Sequence, residues 1–358
     1  MEKKRIGIVG TGGICNGRHI LGYLEYKEAC EITALCDINP VNLEKTRERL
    51  GLSKEVCFSD YRDLLKSGLI DAVDVCTSND VHVEIAIAAL EAGFPVSVEK
   101  PIGVNFDESL KLLDKSKETG LPVFVCFSWR YMAAPRYMKY LIDQGEVGEM
   151  YHIYVKCIKD SGLWQGRRLE WRFIEEKAGS GVLCDLGSHM FDIIRFFGQE
   201  FESVYCDRGI IVKKRQKIDS DEWADVTTDD WSNVVCRLES GIGATVTLSR
   251  TTIAEKDTIE FYVTGSKGAI KMLYENGKIN LYECKNDDLK TGNFVKIDIP
   301  ENFKAASQSR SFVDMLNGKP DEYASDIFAG IKSQAAVDAA KLSSQCGRAI
   351  TIKELFNA

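Results

Sequence analysis

No apolar run in this 358-residue chain approaches the roughly 20 residues needed to span a bilayer, so no membrane-crossing helix is expected. Metal-ligand spacing is missing too. The twelve cysteines are scattered, no two stand as C-x-x-C, and nothing in the pattern points to a metal site. There is no internal repeat and no low-complexity tract. Met1-Glu2-Lys3-Lys4-Arg5 is basic, but the apolar stretch after it is short and broken by glycines, so a signal peptide is not expected. Excess positive charge is also lacking. The net charge of -8 argues against nucleic acid or an anionic membrane surface as the main partner.

What is present is ordinary for a globular protein: 44% hydrophobic and 28% charged residues. The length is large for one core and comfortable for two domains. Cys36, Cys57, Cys76, Cys126, Cys157 and Cys236 sit inside apolar runs, where a reduced thiol serves as a small hydrophobe. That implies a reducing, cytoplasmic setting.

The first third alternates short apolar strands with helices. Strands are expected at Arg5–Val9, Ile32–Cys36, Val56–Phe58, Ala72–Cys76, Val96–Val98 and Val123–Phe127, with helices at Ile14–Glu25, Val41–Leu50, Val81–Ala92 and Phe106–Glu118. Continuous apolar strands separated by helices imply a doubly wound α/β domain around a parallel sheet. The rhythm then changes. A helix near Ala134–Gln144 leads to a strand over Met150–Lys159, and a helix follows at about Asp185–Phe196. Alternating strands are expected at Ser203–Val212, Trp231–Leu238, Ala244–Arg250, Thr258–Thr264, Ala269–Tyr274 and Lys278–Cys284, then helices at Lys304–Leu316 and Ser325–Gln345. Lys213–Lys217 and Asp219–Asp230 read as a solvated loop. The division is thus an α/β domain over 1–126 and an α+β domain over 127–358 with a mostly antiparallel sheet, leaving the last helix free to pack back on the first domain.

Gly10-Thr11-Gly12-Gly13-Ile14-Cys15 follows the first strand and opens a helix. The first glycine permits the tight turn, the second lets backbone approach a pyrophosphate, and the helix N-terminus supplies N–H groups. Cys15 stands where a third glycine or alanine is usual. Asp37 ends the second strand, followed by Ile38 and Asn39. A carboxylate there accepts from both ribose hydroxyls and repels a 2′-phosphate, so NAD is expected over NADP. The competing role for Asp37 is a helix N-cap. Thr77, Ser78 and Asn79 close the fourth strand, where ligands sit in open sheets, and Ser78 or Asn79 also suits a cap. His82 follows at a place that could line the same cleft.

Val98-Glu99-Lys100-Pro101 ends the fifth strand. A lysine there can hydrogen-bond a reacting oxygen beside a nicotinamide. Further on, Asp185 and His189 are four apart and share one helix face. A carboxylate can fix the tautomer of a neighbouring imidazole and raise its basicity, which makes a general base for an alcohol. His19, His82 and His152 lack such a partner nearby in sequence and read as structural or peripheral.

Glu99-Lys100-Pro101 after an N-terminal dinucleotide fingerprint resembles the glucose–fructose oxidoreductase/inositol dehydrogenase (Gfo/Idh/MocA) family. So does Gly179-Ser180-Gly181-Val182-Leu183-Cys184-Asp185-Leu186-Gly187-Ser188-His189-Met190-Phe191-Asp192, which is similar to that family's G-G-x-L-x-D-x-G-x-H-x-x-D. Trp171-Arg172 looks like its Trp-Arg pair near the cofactor, and Arg130 lies where it places polar groups. The resemblance spans essentially the whole chain. It implies a Rossmann domain, a C-terminal domain with a large open antiparallel sheet, and homodimers or homotetramers formed through that sheet. It implies NAD-dependent hydride transfer between nicotinamide C4 and a secondary carbinol of a sugar or polyol. In that reaction Lys100 polarises the oxygen, His189 takes the proton and Asp185 orients it. Glu99 and Ile14 fall with the cofactor set.

Two alternatives stay open at this point: a redox-neutral NAD enzyme that cleaves or epimerises a sugar derivative, and a non-catalytic sensor of dinucleotide and sugar. Trp164, in a loop before the catalytic helix, is a candidate for stacking on a sugar face. Arg167, Arg168, Lys213, Lys214 and Arg215 either hold a phosphate or carboxylate or, the commoner outcome, form a solvated basic loop.

Overall fold

The computed structural model describes residues 2–254, 256–286, 292–303 and 307–356. It divides into two compact units, Met1–Ser128 with Ala306–Lys332, and Trp129–Ala305 with Ser333–Ala358. No helix among the described residues is long and apolar enough to cross a membrane.

In the first unit six parallel strands, β1 (Lys4–Val9), β2 (Cys30–Cys36), β3 (Cys57–Phe58), β4 (Ala72–Val75), β5 (Val96–Val98) and β6 (Val123–Val125), stand in the order β3-β2-β1-β4-β5-β6. β4, β5 and β6 are buried at every residue, which is why their sequences are unbroken apolar runs rather than alternating ones. The order reverses at β1 and β4, the place where doubly wound sheets bind ligands at their strand C-termini. The helices are α1 (Ile20–Glu25), α2 (Pro40–Leu50), α3 (Tyr61–Lys66), α4 (Asn79–Glu91) and α5 (Phe106–Thr119). Asn39, Asp60 and Asn105 cap α2, α3 and α5 through their side chains. Helix α3 was not expected; six residues are too few to show a helical period. Gly13 and Ile14 are helical before the chain enters a π-helical stretch at Cys15–His19 and continues as α1.

The second unit holds α6 (Ala133–Asp143), β7 (Met150–Ile158), α7 (Glu175–Ala178), α8 (Ser188–Phe196), β8 (Phe201–Gly209), β9 (Lys214–Gln216), β10 (Trp223–Asp225), β11 (Trp231–Leu238), β12 (Gly243–Ser249), β13 (Thr258–Gly265), β14 (Gly268–Glu275), β15 (Lys278–Lys285) and β16 (Val295–Ile297). Helix α9 (Gln308–Leu316) belongs to the first unit, α10 (Ile327–Cys346) begins in the first and ends in the second, and β17 (Ile350–Thr351) and α11 (Ile352–Phe356) close the second. Residues 304–306 of the helix expected at Lys304–Leu316 lie outside the described residues. Nine strands form one sheet, β16-β15-β14-β13-β7-β12-β11-β8-β17, in which only β7 and β12 pair in parallel among the described residues. Strand β11 alternates strictly between buried and open residues, as one covered face requires.

The solvated loop expected over Lys213–Lys217 and Asp219–Asp230 is instead a small antiparallel ribbon, β9 with β10, pairing Arg215 with Ala224. Arg215 is buried, as are Val226, Thr228, Asp229 and Asp230. Lys213, Lys214, Lys217, Asp219, Asp221 and Asp225 do stay exposed, while Asp229 and Asp230 take backbone N–H groups.

Returning to the first unit, the chain over 307–332 anchors itself by polar contacts. Tyr26 donates to Asp314 (2.6 Å), Ser309 to the carbonyl of His19 (3.0 Å), and the N–H of Val125 to Ser325 (2.9 Å).

Candidate active site

Gly10 has φ +92°, and a Cβ there would lie 2.7 Å from the backbone of Cys76. Only glycine lets the chain turn this close to the end of β4. By contrast, Cβ atoms at Gly12 and Gly13 would meet nothing within 4 Å. The backbone that opens the helix therefore presents an uncovered surface beside unfilled N–H groups, the arrangement that suits a pyrophosphate. Asn16 pins the turn by donating to the carbonyls of Thr11 (2.8 Å) and Gly12 (3.2 Å).

Asp37 closes the other side of the turn. Its Oδ2 accepts the N–H and hydroxyl of Thr11 (2.7 and 2.8 Å), and Oδ1 accepts the N–H of Asn39 (2.8 Å). It is not the cap of α2; Asn39 is. Ile38 is almost fully exposed beside it, an apolar side chain open to a flat ring. Ser78 occupies the N-cap position of α4, but its hydroxyl donates to Asp80 (2.5 Å) rather than to the helix backbone. Thr77 and Ser78 are partly open, and Asn79 is buried. These residues fit a dinucleotide. The glycine turn leaves room for phosphates, and a carboxylate stands where ribose hydroxyls are read.

His82 does not line a cleft. At 1% exposure its Nδ1 sits 2.9 Å from the Pro101 carbonyl and its Nε2 3.1 Å from that of Thr77. It ties the end of β4 to the turn after Lys100, and burial pushes its pKa down.

Lys100 is half-buried at the end of β5. Beneath it lies a network that no local pattern announces. The Lys100 N–H donates to Glu99 Oε2 (3.0 Å), and Glu99 Oε1 meets His19 Nε2 (2.8 Å). His19 Nδ1 meets Asp74 (2.8 Å), which also accepts from Tyr23 (2.9 Å). Burial opposes a charge on His19, but the two carboxylates outweigh it and hold its pKa well above the ordinary histidine value. His19 is thus a buried ring bridging two carboxylates, an arrangement that favours its charged form. His19, Asp74 and Cys126 bring ligand-type atoms within 4.8 Å of one another, yet both ring nitrogens are already committed to carboxylates. The partners are 55 and 80 residues from His19 in sequence, so no local pattern could reveal them.

In the second unit, Leu183–Gly187 is π-helical and runs into α8. Such segments concentrate at functional sites. Between Ala178 and Ile194 every residue is buried except Asp185 and His189, which are half-open. The helix therefore packs on all sides but one, and that side carries the carboxylate and the imidazole. Its start is held by Asp229, which is buried and accepts from the N–H groups of Gly181 (2.6 Å) and Leu183 (3.0 Å), and from the hydroxyls of Ser180 and Ser232. A carboxylate at this end also favours the helix dipole. Gly181 is required for the contact, since any Cβ there would collide with the Asp229 backbone.

Arg130, expected near the cofactor, is held by a carboxylate of its own unit. Its guanidinium is buried and makes a two-pronged pair with Asp192 (Nε 2.6 Å), the last residue of the helix motif. Arg172 stacks over Trp171 (4.2 Å), both half-exposed. Trp164 is 59% exposed, with its indole N–H donating to Asp160 (3.0 Å). Lys100 belongs to the first unit, and Asp185 and His189 to the second.

Residues 4–127 match the oxidoreductase family with an NAD-binding Rossmann fold, and residues 136–271 match the GFO/IDH/MocA C-terminal domain. The chain belongs to the GFO/IDH/MocA oxidoreductase family. Among its relatives is levoglucosan dehydrogenase of Pseudarthrobacter phenanthrenivorans, 27% identical over 294 residues, covering 77% of this chain and 75% of the relative. Another is glucose-6-phosphate 3-dehydrogenase of Bacillus subtilis, 26% identical over 321 residues, covering 89% and 83%. A solved structure of levoglucosan dehydrogenase in complex with NADH and L-sorbose shares the fold, with a TM-score of 0.89 and 22% identity over 98% of this chain and 99% of that one. The family's dinucleotide domain, mixed second domain and dehydrogenase class agree with the architecture described above.

Proposed function

We propose that this family member is an NAD-dependent dehydrogenase acting on a secondary alcohol of a sugar, cyclitol or sugar derivative, with NAD preferred over NADP. The observation that carries the proposal is the helix beginning at Leu183, which is buried on every side except the one bearing Asp185 and His189. Relatives named for levoglucosan and glucose 6-phosphate, and a neighbour solved with NADH, favour a polyhydroxy substrate and the unphosphorylated dinucleotide.

Gly10, Thr11, Gly12, Gly13 and Ile14 would hold the pyrophosphate, Asp37 and Ile38 the adenosine half, and Thr77, Ser78, Asn79, Glu99 and Lys100 the nicotinamide half; Trp171 and Arg172 match the Trp-Arg pair that the family resemblance assigns to the cofactor. When bound, the nicotinamide supplies the acceptor or donor of a hydride. The chain's own residues handle the proton and the developing charge. His189 accepts the hydroxyl proton as the alcohol is oxidised, and returns it in the reverse direction. Asp185 orients the imidazole and favours its cationic form. The Lys100 ammonium hydrogen-bonds the reacting oxygen and stabilises negative charge there. Asp229 keeps the helix that carries two of these groups in place.

The cytoplasm is the proposed compartment, because all twelve cysteines are free and ten are buried. The proposed assembly is a homodimer or homotetramer through the large sheet, whose open side chains include Tyr151, Tyr154, Tyr205 and Val235. Lys100→Met tests the catalytic reading: turnover should be lost while NAD still binds. Full activity in that variant would remove Lys100 from the mechanism.

A further inference from the structure

Phe173, fully buried, carries three guanidinium groups around one ring. The centres of Arg215, Arg250 and Arg167 lie 4.1, 4.6 and 4.8 Å from its centroid. Two of the three have a carboxylate. Arg250 pairs with Asp230 (2.7 Å), and Arg167 with Glu170 (3.1 Å). Arg215 does not. It is 5% exposed, donates to the carbonyls of Arg167 (3.0 Å) and Gly162, and leaves its buried Nε–H without an acceptor. Burial and the charge of Arg167 push its pKa down. Asp230 and Glu170 act on it only from a distance, and a buried cation with no anion in hydrogen-bond contact is costly unless one completes it.

The same side chain lines a cavity of about 210 Å³ together with Arg167, Arg168, Lys214, Trp164 and Trp223. Lys214 reaches only a loose pair with Asp225 at 3.7 Å, with both side chains largely exposed, so it is free to swing inward. Arg168 steadies the ribbon through the carbonyls of Lys217 and Ser220. Trp164 and Trp223 are 59% and 62% exposed. Two broad aromatic faces beside a set of cations suit a ligand with one charged end and a body of C–H and hydroxyl groups.

This cavity is tied to the helix of Asp185 and His189 through consecutive residues. Asp230 holds Arg250 and accepts the N–H groups of Ile211 (2.7 Å) and Val212 (2.8 Å), next to the cavity wall. Asp229, its neighbour in sequence, holds the start of the helix.

We infer that the cavity between the 162–168 loop and the β9–β10 ribbon binds an oxyanion carried by a polyhydroxy ligand, with Arg215 Nε and Lys214 as its donors. The chemistry is shared by a phosphate monoester and a carboxylate. Resting on the dehydrogenase reading, this makes the substrate a phosphorylated or acidic sugar rather than a neutral one.

The test is calorimetric titration of the full chain with inorganic phosphate, glucose 6-phosphate, glucuronate and glucose, in parallel with nicotinamide reduction for the three sugars. Phosphate should bind the wild type. The anionic sugars should bind at least about tenfold more tightly than glucose, a factor equal to 1.4 kcal/mol. Lys214→Ala, at an exposed position, should erase most of that difference without changing the melting temperature. Arg215→Lys keeps the charge but removes the Nε donor and should weaken phosphate binding further; should it fail to fold, Lys214→Ala with Trp164→Ala carries the test. Whichever anionic sugar binds more tightly distinguishes phosphate from carboxylate. Equal binding of glucose and both anions, or phosphate binding unaltered by Lys214→Ala, would overturn the inference. Lysine-dependent anion binding with no nicotinamide reduction by any sugar would keep the subsite and refute the dehydrogenase reading instead.

Discussion

Nε2 of His19 lies 2.8 Å from Oε1 of Glu99, whose other oxygen accepts the N–H of Lys100. The ring is buried and its pKa is raised by Asp74 and Glu99 against the penalty of burial. A base whose native pKa is raised stabilises the fold fully below its unfolded value, about 6.5. That contribution is lost as pH rises through the native value. His19→Gln should therefore lower stability by about 3–5 kcal/mol near neutral pH, since it leaves two buried carboxylates without their cation. It should also flatten the decline of the melting temperature on the alkaline side. Parallel pH profiles for the two proteins would contradict the assignment of charge to His19.

Asp37 binds the glycine turn and is the residue proposed to read the ribose. Asp37→Ala should reduce the preference for NAD over NADP by at least about tenfold, measured as the ratio of kcat/KM values. It should also raise KM for NAD, because Thr11 loses two hydrogen bonds. An unchanged ratio would show that selectivity lies elsewhere.

Asp229 satisfies two backbone donors and two hydroxyls at the start of the helix that carries Asp185 and His189. Asp229→Ala should destabilise the protein by about 1–3 kcal/mol. At a temperature where it is folded, it should lower kcat more than it changes NAD affinity. Wild-type kcat in a destabilised variant would limit Asp229 to a role in folding.

Arg130 and Asp192 form a buried pair. Asp192 has its carboxyl pushed up by burial, with Arg130 working against that shift. Removing Arg130 should cost about 3–5 kcal/mol in urea unfolding, with KM for NAD unaltered in the folded fraction. A rise in KM without loss of stability would return Arg130 to the cofactor.

Much of the fold was legible because its signals are local. β5 and β11 fall where apolar run and alternation placed them, and the Asp185–His189 spacing marked the side of the helix left open. The fingerprint glycines were likewise readable from the steric demand of a turn against β4. Other parts escaped for physical reasons. A π-helical step at Cys15–His19 or Leu183–Gly187 shifts hydrogen bonds by one residue and leaves little mark on composition. His19 read as peripheral because its partners arrive from other strands. Arg215 read as solvated because one arginine in a charged segment looks like its neighbours. Only the β9–β10 pairing turns it inward, onto a phenylalanine more than forty residues earlier in the chain.

The measurement that bears most directly on the account is near-ultraviolet absorbance of reduced nicotinamide, with purified protein, NAD and a panel of cyclitols, aldoses, sugar acids and sugar phosphates. The account predicts a rise with at least one class. That rise should be absent in His189→Ala and Lys100→Met, while both variants still bind NAD. No rise with any member of the panel, or undiminished rates in both variants, would contradict it.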